Sequence, residues 1–167
     1  GFLHGLAHPA SGLDHVLAMT AMGLLAARLG GRALWLAPTS FILLMIVGAG
    51  LAHQRNGLPY VEAAVVLSVI VLGLLLAFPT KLRSIAVVAL ASAFAIFHGH
   101  AHGTEMSAGA SPAAYAAGFV ATTLILNLVG IGVASGLARF SPRGESCERL
   151  LGAGIALAGC GMLVGAS

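Results

Sequence analysis

The sequence is poor in charged and aromatic residues. Only 8% of its 167 residues are charged and 6% are aromatic, whereas 59% are hydrophobic. A soluble domain carries about 25% charged residues, so this chain lacks the polar surface to stay in water. The net charge is only +3, and the sequence has no Lys/Arg cluster interleaved with aromatic residues. Nucleic acid is therefore not an expected partner. The composition predicts a polytopic membrane protein whose surroundings are the lipid bilayer.

Long apolar runs divide the chain into six predicted spans. A transmembrane helix needs about 20 apolar residues, and these runs lack the period-2 polar alternation of membrane strands. The predicted spans are residues 12–27, 33–52, 59–78, 84–98, 112–138 and 150–166. The fourth helix is expected to continue to about His102. Connections are short, so we predict an all-α fold, one six-helix transmembrane domain over residues 1–167.

The basic residues indicate how the spans are oriented. Seven of the eight lie in the first, third and fifth connections, and only Arg55 lies in the second. The seven are Arg28, Arg32, Lys81, Arg83, Arg139, Arg143 and Arg149. The positive-inside rule makes their side cytoplasmic and both termini periplasmic. A chain that starts at Gly1 rather than Met then fits either signal-peptide removal or shortening.

Small residues at four-residue spacing are candidates for close helix packing. They are Gly132 with Gly136, Gly154 with Ala158, and Gly161 with Gly165. Packing within one chain is the favoured interpretation, and a homo-oligomer interface is the alternative.

The seven histidines all fall on the predicted outer side. They are His4, His8, His15, His53, His98, His100 and His102. His15 lies 13 residues from Arg28, or ~20 Å, and His98 lies 14 residues from Ser84, or ~21 Å. The two are therefore level, and we expect them to meet if the first and fourth spans touch.

Helical spacing separates the histidines further. His98 and His102 are i and i+4 and share a face, which Glu105 continues, whereas His100 is turned about 200° away. Asp14 either offsets the dipole of the first span or serves a metal, as a ligand or as the group that orients His15. We favour the metal role because an ionisable group within a span is costly.

A set of His and carboxylate ligands suits Ni²⁺, Co²⁺, Zn²⁺ or Cu²⁺ better than Mg²⁺ or Ca²⁺. Deeper in the membrane, Asn127 either lines an ion path or bonds to a neighbouring helix. Met19 and Met22 continue a stripe from His15 and are either soft ligands or, as we favour, packing residues.

Two motifs resemble those of a known family. Residues 8–19, HPASGLDHVLAM, resemble the H-P-x-x-G-x-D-H signature of the HupE/UreJ nickel/cobalt permeases, and residues 97–105, FHGHAHGTE, resemble that family's second motif. The resemblance implies a secondary transporter of the bacterial inner membrane that imports Ni²⁺ or Co²⁺, with Zn²⁺ and Cu²⁺ ranked lower and no catalytic cofactor. A cleaved signal peptide is also common in the family. The implied key positions are His8, Asp14, His15, His98 and His102, then His100 and Glu105.

We therefore predict that His4, His8, His53 and His100 collect the ion, which passes to His15, His98, His102 and Asp14. Because imidazole must be deprotonated to bind, uptake is expected to fall below about pH 6.

Two other classes of protein stay open. A metal-dependent membrane enzyme would also use paired histidines, although no H-E-x-x-H motif is present. A pH-responsive membrane sensor would use the same histidines without a bound metal.

Overall fold

The chain folds into helices. The computed structural model describes residues 1–54, 56–79, 82–107 and 109–165, and within them it contains seven helices and no strand, which confirms the all-α prediction. The helices are α1 (Phe2–Ser11), α2 (Leu13–Leu29), α3 (Ala33–His53), α4 (Val61–Ala77), α5 (Ser84–Thr104), α6 (Pro112–Phe140) and α7 (Gly144–Gly165). Arg55, Lys81 and Ala166, which entered the predicted charge pattern and last span, lie outside the described residues.

Four helices, α3, α5, α6 and α7, are each long and apolar enough to cross a membrane. The pair α1 and α2 also qualifies when taken together, and its bend of 85° makes it either one broken span or a re-entrant loop. Helix α4 is apolar but has only 17 residues. By length and composition, the described part of the chain therefore has up to five candidate spans, rather than the six predicted.

Helix α1 corrects the sequence prediction, in which the first helix begins at residue 12. Pro9 lies inside α1, near its end, and the Ser11 hydroxyl donates to the His8 carbonyl at 2.7 Å. The helix also packs on α6, where the Thr122 hydroxyl donates to the Leu6 carbonyl at 2.6 Å. These contacts supply polar partners that the local sequence does not reveal.

Of two other helix boundaries, one agrees with the prediction and one does not. Helix α5 continues past His98 to Thr104, which confirms its predicted extension. Helix α7 begins at Gly144, six residues before the predicted start at residue 150.

Glycines let the helix backbones touch. A Cβ on Gly99 would collide with the Met45 backbone of α3, and one on Gly23 with the Asn127 backbone of α6. Gly73 lies in the same way against α7, and Gly5 against α6. These contacts fix α5 on α3 and α2 on α6 at close range, which brings their side chains together.

The glycines chosen from sequence are different ones, and for them the prediction of packing within the chain is wrong. Added Cβ atoms on these residues would meet open space: Gly132, Gly136, Gly154, Gly161 and Gly165. Four-residue spacing shows which residues share a face, but it does not show which way that face points.

One end of the bundle, which we call the arginine end, is held by an ion pair. Arg28 of α2 donates through Nη1 to the Leu76 carbonyl of α4 at 2.5 Å. Its Nε lies 3.4 Å from Oε2 of Glu148 on α7. Arg28 therefore joins three helices at the end opposite the histidines.

Candidate metal centre

Asp14, at the start of α2, determines which ring nitrogen of His15 carries a proton. Oδ1 of Asp14 accepts from the backbone N–H of His15 at 2.7 Å and lies 2.8 Å from its Nδ1. A carboxylate oxygen only accepts, so Nδ1 carries the proton. Nε2 then holds a lone pair, and it is buried with no hydrogen-bond partner in the described structure.

A serine on α4 does the same for His98. The Ser68 hydroxyl lies 2.6 Å from the Val65 carbonyl and 2.8 Å from His98 Nε2, and when its one proton is donated to the carbonyl its oxygen accepts from His98 Nε2. In that arrangement the proton of His98 is on Nε2, and Nδ1 holds the lone pair. That Nδ1 is also buried and unpartnered among the described residues.

His102 is the least constrained of the three rings. It is fully buried and stacks on Phe119 of α6, with ring centroids 5.1 Å apart and an interplanar angle of 10°. Neither of its ring nitrogens has a hydrogen-bond partner in the described part of the chain. Its orientation is therefore set by contacts with neighbouring rings rather than by hydrogen bonds.

The histidine rings of α2 and α5 lie side by side, as their equal depth in the predicted spans indicated. His15 lies 4.7 Å from His98 and 4.6 Å from His102 between ring centroids, which confirms that the first and fourth predicted spans meet. His8 joins from α1, 4.9 Å from His102. We call these four residues, His8, His15, His98 and His102, the histidine cluster.

Helix α1 covers the outer side of the cluster. His8 Nε2 lies 3.0 Å from Oε2 of Glu105, whose side chain is 58% exposed. His4, one turn earlier, lies 3.1 Å through Nδ1 from the Ser107 hydroxyl and 5.5 Å from the Tyr115 ring. The bend after Ser11 thus brings a row of polar groups from solvent to the buried rings.

Two of the predicted residues are placed elsewhere. His53 is exposed at the end of α3. His100 is buried on the opposite side of α5, where Nε2 lies 3.2 Å from the Leu58 backbone N–H and 3.0 Å from the Asn56 carbonyl. The structure therefore brings His100 to the connection between α3 and α4 rather than to the cluster.

The cluster is not a preformed cage. Among the described residues, no three His, Cys, Asp or Glu side chains are arranged to hold a metal ion together. The rings touch, but their donor atoms do not converge on one point. What the site offers is a set of neutral imidazole lone pairs in a buried space, two of them oriented by Asp14 and Ser68.

The predicted path residues lie inward of the rings. Met19, Met22 and Asn127 are all buried. Asn127 donates through Nδ2 to the Thr123 carbonyl at 2.8 Å, and its Oδ1 has no partner in the described structure.

Several residues around the cluster were not predicted from sequence. Ser68 is a single polar residue in an apolar run, Thr123 follows Thr122 in another, and Tyr115 and Phe119 look like ordinary core aromatics. The only sequence signal for Ser68 and Thr123 was a hydroxyl inside a predicted span, and such a hydroxyl usually bonds its own helix.

Comparison with known proteins agrees with the motifs. The family model described as HupE / UreJ protein matches residues 1–162. Protein HupE of Rhizobium leguminosarum bv. viciae is 45% identical over 165 residues, which cover 99% of this chain and 85% of that protein. No solved structure matches. The chain therefore belongs to the HupE/UreJ family.

Proposed function

We propose that this chain is a secondary transporter that imports a divalent transition-metal ion, Ni²⁺ or Co²⁺, across the bacterial inner membrane. Membership of the HupE/UreJ family, a nickel/cobalt family of transporter type rather than enzyme type, supports this. The observation that carries it is the pair of oriented, unpartnered lone pairs on His15 Nε2 and His98 Nδ1.

The proposed domain has six spans over residues 1–167. Besides the four long helices and the bent pair, α4 is counted, because 17 residues lie at the lower limit for a span. Tyr60 and Phe78 flank α4 and are exposed, as aromatic residues are at membrane interfaces. Six spans with the arginine end inside put both termini in the periplasm.

In the proposed cycle, His4, His8, His53 and Glu105 attract the cation from the periplasm. His15, His98 and His102 then replace part of its water, and Asp14 holds His15 in the correct tautomer. Because the donors do not already converge, the ion draws them together on arrival. That suits transport, since an ion held in a rigid cage leaves slowly.

His100 has a different proposed role. Its Nε2 is engaged by the 56–58 connection, so we assign it to holding that connection beside α5. We also propose a homo-oligomer. The glycines of α6 and α7 whose added Cβ atoms would meet open space allow close helix contact between two copies of the chain.

Uptake of radioactive nickel by cells without their own nickel transporters tests the proposal. His15→Ala and His98→Ala are expected to abolish uptake, because each removes an oriented lone pair. His100→Ala is the control, with uptake retained, because His100 lies outside the cluster on the opposite side of α5. Inhibition of nickel uptake by added Co²⁺, Zn²⁺ or Cu²⁺ ranks the metal ions by how well the transporter accepts them. Undiminished uptake in both cluster variants would falsify the proposed site.

A further inference from the structure

One helical turn from His15 and His102, toward the arginine end, two methionine sulfurs flank a single hydroxyl. Oγ1 of Thr123 lies 3.3 Å from Sδ of Met19 and 3.7 Å from Sδ of Met45. The three residues belong to α6, α2 and α3, and none of them is exposed to solvent. No sequence pattern groups Met45 with Met19, since they lie on separate helices.

The position of this group follows from the helices that carry it. Met19 is four residues after His15, and Thr123 is four residues after Phe119, which stacks on His102. Four residues correspond to ~6 Å along a helix axis. The Met45 backbone touches Gly99, the neighbour of His98. The group therefore begins at about the level of His98, one turn beyond His15 and His102, on the side of the arginine end.

An amide oxygen lies one turn further inward. Asn127 follows Thr123 by four residues on α6 and donates to its carbonyl, which leaves Oδ1 fully buried and without a partner among the described residues. In a membrane protein, a buried polar group is expected to be satisfied within the protein. An unsatisfied carbonyl oxygen one helical turn from Thr123 and its two thioether neighbours is an unused cation ligand.

We propose that Met19, Met45, Thr123 and Asn127 form a second cation station, through which the metal ion passes after it leaves the histidine cluster. This inference rests on the proposed transport function. Thioether sulfur is a soft ligand that favours transition metals over Mg²⁺ and Ca²⁺. The station therefore adds selectivity at a depth where the ion has lost water.

The chemistry of the four donors also favours release. None of the four is a carboxylate or an imidazole, the ligand types that suit Ni²⁺ or carry charge, so they hold a divalent ion less tightly than the groups outside. Conduction requires sites that are favourable to enter and weak enough to leave. The Thr123 hydroxyl now points to sulfur, but a hydroxyl rotates to suit its partners. Turning its proton away frees both sulfurs and presents its oxygen to the ion.

The test compares methionines that differ in their relation to Thr123. Met19→Leu with Met45→Leu removes both sulfurs and keeps apolar volume. We expect nickel uptake to fall at least about tenfold, the loss that even outer-shell changes cause at metal sites, while nickel binding to the purified protein persists through the histidine cluster. Met22→Leu is the control, because Met22 is equally buried on α2 without this contact, and its uptake is expected to stay unchanged.

Nickel X-ray absorption gives a direct readout of the ligands. A sulfur neighbour is expected in nickel-loaded protein and in Met22→Leu, and its absence from the double variant would support the assignment. If the double variant also loses nickel binding, Thr123→Val carries the test, because it removes only the hydroxyl and is expected to slow uptake as well.

The outcomes separate the two proposals. No nickel uptake by the unmodified chain defeats the transport function. Normal uptake by the unmodified chain, by the double methionine variant and by Thr123→Val defeats the second station alone.

Discussion

The two ends of the bundle bury polar groups in opposite ways. At the arginine end, Arg28 has partners on two other helices, Glu148 and the Leu76 carbonyl. In the histidine cluster, His15 and His98 each keep a lone pair free, and His102 keeps both nitrogens unpartnered in the described structure. Paired groups hold helices together, whereas oriented and unpartnered groups are available to a ligand.

This difference separates stability from binding. Breaking a buried ion pair is costly, because the remaining charge has no solvent. Removing an unpartnered ring nitrogen costs no hydrogen bond. The arginine end is therefore expected to respond to mutation mainly in stability, and the histidine cluster mainly in uptake.

The largest expected effect on stability is that of Glu148→Ala. It leaves the half-buried Arg28 without its carboxylate, which is expected to lower the free energy of unfolding by about 3 kcal/mol. Thermal unfolding in detergent measures the loss. His102→Leu, which keeps the volume of the ring, is expected to unfold near the unmodified temperature but to lose uptake.

The double variant Arg28→Leu with Glu148→Leu is the control for the ion pair. It is expected to recover part of the stability, since two apolar side chains replace two charges. Recovery is incomplete because the Leu76 carbonyl loses its donor. If Glu148→Ala unfolds at the same temperature as the unmodified chain, the contrast between the two ends is wrong.

The depth of the histidine rings along their helices could be predicted from the sequence, but the residues that surround the rings could not. The rise per residue of a helix is fixed, so counting from Arg28 and Ser84 correctly put His15 and His98 at one depth. Which helices touch is decided by packing, and the glycines that decide it, such as Gly23 and Gly99, resemble those that face outward.

The position of α1 could not be predicted from the sequence for a similar reason. Pro9 argues against a helix locally, and the Thr122 hydroxyl that supports α1 is more than 100 residues away. The i, i+4 spacing of His4 and His8 was visible, but not that His8 would reach His102. Ser68 was equally hidden, because one serine in an apolar run has no period.

A smaller effect is expected from Ser68→Ala, which sharpens the comparison within the histidine cluster. Without the Ser68 oxygen, the proton of His98 is no longer held on Nε2, and its lone pair is no longer directed by α4. Loss of such a supporting group typically weakens metal binding about tenfold. Nickel titration of the purified protein measures this loss.

Ser92→Ala is the matched control for Ser68→Ala. Ser92 is also a buried serine within a span, but its hydroxyl pairs with Ser40 at 2.7 Å rather than with a histidine. Its nickel affinity is expected to be unchanged. Equal affinities in the two serine variants would show that Ser68 does not orient His98.

The smallest effect is expected from His100→Leu, two residues from a cluster ring on the same helix. His100 keeps a buried, unpartnered Nδ1 as His98 does, but it lies on the opposite side of α5, where its Nε2 contacts the 56–58 connection. Loss of one such hydrogen bond costs about 1 kcal/mol, seen as a small drop in unfolding temperature with nickel uptake retained. If His100→Leu instead abolishes uptake as His102→Leu does, then position in the histidine cluster does not distinguish ligand-binding from structural histidines in this bundle.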